Sequence, residues 1–251
     1  MAAAVVFLHG FSNTGASWDP VIAALPQRYR ALAPDLRGHG SAAGAQPVAL
    51  DGVIADLAAT APQRFTLVGY SMGGRLALHT ALAIPERVAR LVLIGASPGL
   101  ADPDARRARR RADEALADEL QGLTIEAFAA RWAQTPVLAG APADVVARAQ
   151  RDRLRNTPEG LARALRGLGT GALAPLWDRL GELGMAVELV AGERDEKFSA
   201  LAREMATGIG HARVTIIPGA GHAAHLEAPG AVAALIASGA PGVVAAGPSA
   251  G

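Results

Sequence analysis

Residues 67–78 read LVGYSMGGRLAL, and the pattern changes type in the middle. The seven residues up to Tyr70, RFTLVGY, form an almost unbroken apolar run, as expected of a strand buried on both faces. From Gly73 to Ile84 the chain reads as a helix. Ser71 stands at the junction, inside Gly69-Tyr70-Ser71-Met72-Gly73, a G-x-S-x-G. Strand, serine turn and helix together are the context of a nucleophile elbow. Its strained turn exposes the hydroxyl, and its glycines let backbones pack closely. Arg75 follows four residues later, on the helix face nearest the serine.

Outward from this point the same alternation repeats. AVVFLHG (4–10), YRALAPD (29–35), RLVLIGA (90–96), AVELVAGE (186–193) and RVTIIPG (213–219) are further strand candidates. Helix-length segments such as Pro47–Thr60 separate them. Strand–helix alternation predicts an α/β fold, a mostly parallel sheet flanked by helices. The pattern breaks between Leu100 and Gly184, where no strand is expected and more than half of the arginines lie. This segment follows a strand end, where ligand sites of open α/β sheets lie, so it reads as a helical cap insertion. The expected division is a core of residues 1–100 and 185–238, a helical cap of 101–184 and a flexible tail of 239–251.

A serine nucleophile needs a base, and the base needs an orienting acid. Around such an elbow they follow in the order Ser, Asp or Glu, His. Asp195 comes just past AVELVAGER and His222 just past RVTIIPGAG. Both fall at strand C-termini, on the same sheet edge as Ser71. The expected triad is Ser71, Asp195 and His222, with Glu193 or Glu196 as other acids and His225 as another base. LHGF (8–11) ends the first strand, and the backbone amides of Phe11 and Met72 are the expected oxyanion donors. His9 and His39 read as loop-structuring residues. His222, His225 and Glu227 would be the one set of metal ligands, but without a second cluster no metal is expected.

Composition narrows the function. The chain has 251 residues and no cysteine, which removes disulfides and thiolate chemistry. A net charge of +1 draws the chain to neither nucleic acid nor an anionic membrane. Lys197 is the only lysine among the 24 basic residues, and the other 23 are arginines. That bias follows from a GC-rich genome, or from a need to grip carboxylates with two-pronged guanidinium groups. The opening MAAAVVFLHG lacks a basic leader segment, and the Ala-, Gly- and Pro-rich end after Glu227 makes a poor membrane span. A cytoplasmic enzyme acting on a small molecule is expected.

Along nearly its whole length the sequence resembles the α/β-hydrolase superfamily. LVGYSMGGR, RLVLIGASPGL, RWAQTPVL, RNTPEGLARALRGLGTG, AGERDEKF and GAGHAAHLE together resemble one family within it. That family is the 2-succinyl-6-hydroxy-2,4-cyclohexadiene-1-carboxylate (SHCHC) synthases of menaquinone biosynthesis. LRGLGTG and GERDEKF carry the most weight, because ordinary esterases have no reason to share them. The resemblance implies a lyase without a cofactor. A proton leaves the ring carbon beside a succinyl carbonyl, the double bond shifts and pyruvate departs. The serine, relayed through the histidine, is the implied base.

Such a substrate carries three carboxylates, which gives Arg75 a purpose; a surface ion pair with a carboxylate of the cap is the plainer alternative. Matching the family's motifs adds Tyr70, Trp132, Arg109 (with Arg106 second) and Arg155 as substrate-binding residues. Ala133 stands where the family often has a second aromatic residue. A serine esterase or C–C hydrolase using the same triad is the competing function. A non-catalytic binding protein would usually have lost one of the three.

Overall fold

The computed structural model describes residues 3–238, so the expected tail of 239–251 lies outside the described residues. Its sheet has six strands: β1 (Ala3–Leu8), β2 (Tyr29–Leu32), β3 (Phe65–Tyr70), β4 (Val88–Ile94), β5 (Ala186–Gly192) and β6 (Ala212–Ile217). All neighbours pair in parallel, in the order β2-β1-β3-β4-β5-β6. Each strand falls on one of the six apolar runs. The helices are α1 (Asp19–Ala24), α2 (Leu50–Thr60), α3 (Met72–Ala83), α4 (Pro103–Leu120), α5 (Ile125–Trp132), α6 (Ala143–Arg153), α7 (Pro158–Leu168), α8 (Glu196–Gly208), α9 (Ala224–Glu227) and α10 (Pro229–Ser238).

The side-chain alternation of the strands divides the core in two. Leu67, Leu91, Leu93, Val187 and Leu189 face α2, α3 and α8. Val68, Val92, Ile94 and Val190 face α1 and α10. Both faces are covered, which is why the runs are apolar at nearly every position. Arg90 and Glu188 are exceptions, a buried pair at 3.3 Å on the second face. Thr215 donates to Glu188 at 2.6 Å, and Arg90 donates to the carbonyls of Leu235 and Ile236 near the end of α10. The pair is therefore satisfied on both sides, and it fastens α10 to the sheet.

The chain steps from β1 out to β2, then returns to the other side of β1 as β3. Open α/β sheets hold ligands at such a reversal, at the C-terminal ends of the strands. Leu8 pairs with Gly69, so β1 and β3 end level and deliver Phe11 and Ser71 to one place.

Between β4 and β5 the described residues form only helices and short turns. Local chemistry starts two of these helices. Asp102 accepts from the amide of Ala105 at 2.7 Å with Pro103 following, and Thr157 accepts from Gly160 at 3.1 Å with Pro158 following. Ala117, Leu120, Phe128, Leu161 and Leu165 give α4, α5 and α7 a small core of their own. Leu168, Leu173, Leu176, Leu180 and Leu183 instead pack into the core of the sheet. The segment is thus anchored in the main fold well before β5 begins.

Candidate active site

Ser71 adopts φ +51°, ψ −112° between β3 and α3. A non-glycine residue there is strained, at a cost of about 1–3 kcal/mol. The turn is tight enough to dictate its neighbours. A Cβ on Gly69 would lie 2.4 Å from the carbonyl oxygen of Gly73, and one on Gly73 would lie 2.2 Å from that of Leu8. The Ser71 amide donates to the Ile94 carbonyl at 2.9 Å and fixes the turn against β4.

Asp195 follows β5 and caps α8, its Oδ1 accepting from the Phe198 amide at 3.3 Å. Its Oδ2 lies 2.6 Å from Nδ1 of His222, whose Nε2 lies 3.2 Å from Oγ of Ser71. Nδ1–H donates to the carboxylate and so keeps its proton, which leaves Nε2 free to accept from the serine. The arrangement can withdraw the Ser71 proton and hold the resulting imidazolium.

The competing residues are engaged elsewhere. Glu193 accepts from the Gly219 amide, and Glu196 is exposed on the first turn of α8. His225 is fully buried between Tyr70 and Trp18, at ring distances of 4.1 and 4.8 Å, and burial pushes its pKa down to about 3. Glu227 pairs with Arg194 and accepts from the Gly221 amide. Hence His222, His225 and Glu227 do not converge on one point. His9 donates from Nδ1 to the Gly10 carbonyl and accepts at Nε2 from the Leu36 amide, while His39 sits buried against it. Both hold loops.

Ser71 and His222 open onto a cavity of about 410 Å³ between the strand ends and the helical insertion. Phe11 and Met72 line it, and Met72 supplies an amide from the first turn of α3, where no intrahelical acceptor exists. Arg109, Trp132, Leu165 and Thr170 close it from the insertion. Arg75 also lines the cavity, yet it is only 6% exposed. Its Nη2 donates to the Leu168 carbonyl at 3.1 Å, and its Nε has no partner. It makes no ion pair among the described residues, contrary to the surface-bridge alternative. Burial, with Arg109 nearby, pushes its pKa down to about 10. Arg109 donates from Nε to Asp113 at 2.7 Å and lines the same cavity.

Two expected residues do not line this cavity: Tyr70, 4% exposed, borders a separate narrow space beside it, and Arg155 falls elsewhere. Arg155 is exposed and borders a separate open hollow with Asp35 and Ser41. α6 ends at Arg153, and the turn that follows sends Arg155 outward. Arg153 is the buried one, 5% exposed, with an unpartnered Nε. It shares a narrow space with Tyr70, Asn13 and His222. RDRLRN places three arginines within five residues, and only the helix end decides which turns inward. Arg106 does not line the cavity, whereas Lys197 does. Its place two residues after Asp195 was the signal for it.

The chain is similar to known proteins over most of its length. Residues 5–235 match the Alpha/beta hydrolase family. A Bacillus subtilis (strain 168) protein provisionally named 2-succinyl-6-hydroxy-2,4-cyclohexadiene-1-carboxylate synthase is 39% identical over 236 residues, 90% of this chain and 86% of its own length. An Enterobacter sp. (strain 638) protein of that name is 36% identical over 242 residues, 93% of this chain and 90% of its own. The solved structure of MenH from S. aureus superposes with a TM-score of 0.89 at 31% identity, covering 95% of this chain and 93% of that one. The chain belongs to the alpha/beta hydrolase family and, within it, to the SHCHC synthases.

Proposed function

We propose that this enzyme is a carbon–oxygen lyase that eliminates pyruvate from 2-succinyl-5-enolpyruvyl-6-hydroxy-3-cyclohexene-1-carboxylate, giving SHCHC for menaquinone biosynthesis. Ser71, its own proton passed to Nε2 of His222, takes the proton from the ring carbon beside the succinyl carbonyl. The C–H electron pair forms the enolate, the ring double bond shifts, and the C–O bond to the enolpyruvyl group breaks. The departing enolate takes up a proton and becomes pyruvate. The amides of Phe11 and Met72 hold the enolate oxygen. General base help of this kind gives about 10²–10⁴ in rate, and each oxyanion donor a further 10²–10³, roughly. No acyl-enzyme and no cofactor enters this sequence, and residues 101–184 act as the cap over the bound substrate.

The observation that carries the reading is Arg75, a buried guanidinium without an anionic partner that opens onto the same cavity as Ser71. A pocket for a neutral ester gains nothing from this. A substrate with three carboxylates supplies the missing anion, with Arg109 at the same cavity and Arg153 next to Tyr70.

The test is to offer the enolpyruvyl substrate, generated in situ, and to follow pyruvate. Release well above the spontaneous rate, with negligible cleavage of a nitrophenyl ester, is expected. Ester cleavage without pyruvate release would make the chain a hydrolase and overturn the assignment.

A further inference from the structure

Among the described residues only two non-glycine residues have positive φ: Ser71, at +51°, and Ser12, at +65°. Ser12 follows Phe11 in the loop leaving β1. A side-chain-bearing residue keeps such a conformation only when its surroundings over-determine it.

Those surroundings come from the far end of α6. Asp152 accepts from the Thr14 amide at 2.9 Å and from Nδ2 of Asn13 at 3.2 Å, and it also takes a short hydrogen bond from the Thr14 hydroxyl. Asn156 donates from Nδ2 to the Ser12 carbonyl at 3.0 Å and accepts at Oδ1 from the Gly40 amide at 3.1 Å. Both side chains are buried, at 6% and 4% exposure. A buried carboxylate is tolerated when it is this fully bonded, and bonds to a charged acceptor are the stronger kind. Nearly all of these bonds land on the three residues that follow Phe11. From the strand side Asp35 adds one more, accepting from the Gly15 amide at 2.7 Å.

We infer, given the Phe11 amide as an oxyanion donor, that Asp152 and Asn156 are positioning residues for the reaction. From the helical insertion they fix the loop after β1, so that the Phe11 N–H points at the oxygen where charge develops. The seating of α6 and the geometry of the oxyanion hole are thereby one structural variable. Neither residue touches substrate. An oxyanion donor acts on charge that exists only in the transition state, so disturbing it lowers turnover and leaves binding nearly intact.

The test uses the full chain with Asp152→Asn, Asn156→Ala, Thr14→Val and Thr14→Ser. Steady-state pyruvate release is measured alongside circular dichroism and thermal melting. Asp152→Asn should lower kcat roughly 10–100-fold while KM stays within about 3-fold. Thr14→Val should show a smaller loss of the same kind, and Thr14→Ser should restore wild-type turnover. Folded Asp152→Asn and Asn156→Ala with wild-type kcat would overturn the inference. So would a rise in KM alone, or Thr14→Ser as impaired as Thr14→Val. Should Asp152→Asn fail to fold, Asn156→Ala and the Thr14 pair decide. If the wild-type chain cleaves a nitrophenyl ester and releases no pyruvate, the lyase reading falls, and the same variants are read on the ester. Ester hydrolysis needs the same donors, so the two failures are distinguishable.

Discussion

Arg75 is a charge held out of water with no carboxylate in ion-pair contact, since the nearby Asp113 is paired with Arg109, and this arrangement costs stability until a ligand supplies a direct partner. Its pKa of about 10 keeps it cationic near neutrality. Replacing it by alanine removes a charge-assisted hydrogen bond to substrate, worth about 1.5–3 kcal/mol. Arg75→Ala should therefore lower kcat/KM for pyruvate release by roughly 10–150-fold. Its thermal midpoint should hold or rise, because a buried charge without a direct ion pair is gone. Unchanged kinetics in a folded Arg75→Ala protein would remove the main support for a polycarboxylate substrate.

At the scale of elements, α8 and the proposed catalytic chemistry share one side chain. Asp195 caps the helix through Oδ1 and holds His222 through Oδ2. The two roles separate by substitution. Asparagine caps a helix as well as aspartate, but its uncharged amide cannot stabilise an imidazolium. Asp195→Asn should keep its melting temperature and lose about 10²–10⁴ in kcat. Asp195→Ala should lose activity similarly and also about 1 kcal/mol of cap, or roughly 2–4 °C in Tm for a chain of this size. Parallel melting curves and turnover for the two variants check this. Equal Tm values would mean that the cap bond contributes nothing. A related coupling joins α3 to β1, since Gly73 packs on the Leu8 carbonyl and the elbow cannot move independently of the strand beside it.

At the scale of the whole molecule, the buried histidines tie stability to pH. Burial pushes His39 and His225 down to about 3 and His79 to about 4. The unfolded chain takes up these protons near pH 6.5, and the folded chain refuses them until pH 3–4. Between those limits the unfolded state binds more protons, so stability is full above about pH 6.5 and falls as the pH drops. Each histidine adds a slope of about 1.4 kcal/mol per pH unit. Denaturant unfolding at pH 7, 6, 5 and 4 should show this loss, and His225→Phe should flatten it by one histidine's share. A stability independent of pH over that range would contradict it.

Much of this protein was legible before any tertiary structure. Strands buried on both faces must be apolar at almost every position, so β1 to β6 stand out as runs. The elbow shows in the spacing of Gly69, Ser71 and Gly73, because each glycine answers a local steric demand. Asp195 and His222 were readable because their places after β5 and β6 follow from strand order. What only the tertiary structure decided depends on partners distant in the chain. That Arg153 rather than Arg155 is buried depends on where α6 stops and what it meets. That Arg75 lacks a carboxylate partner is a fact about its surroundings, invisible in LVGYSMGGR. The bonds from Asp152 and Asn156 to the loop after β1 span about 140 residues of chain. Local sequence records backbone preference and burial, whereas the pairing of buried polar groups is settled only when distant segments meet.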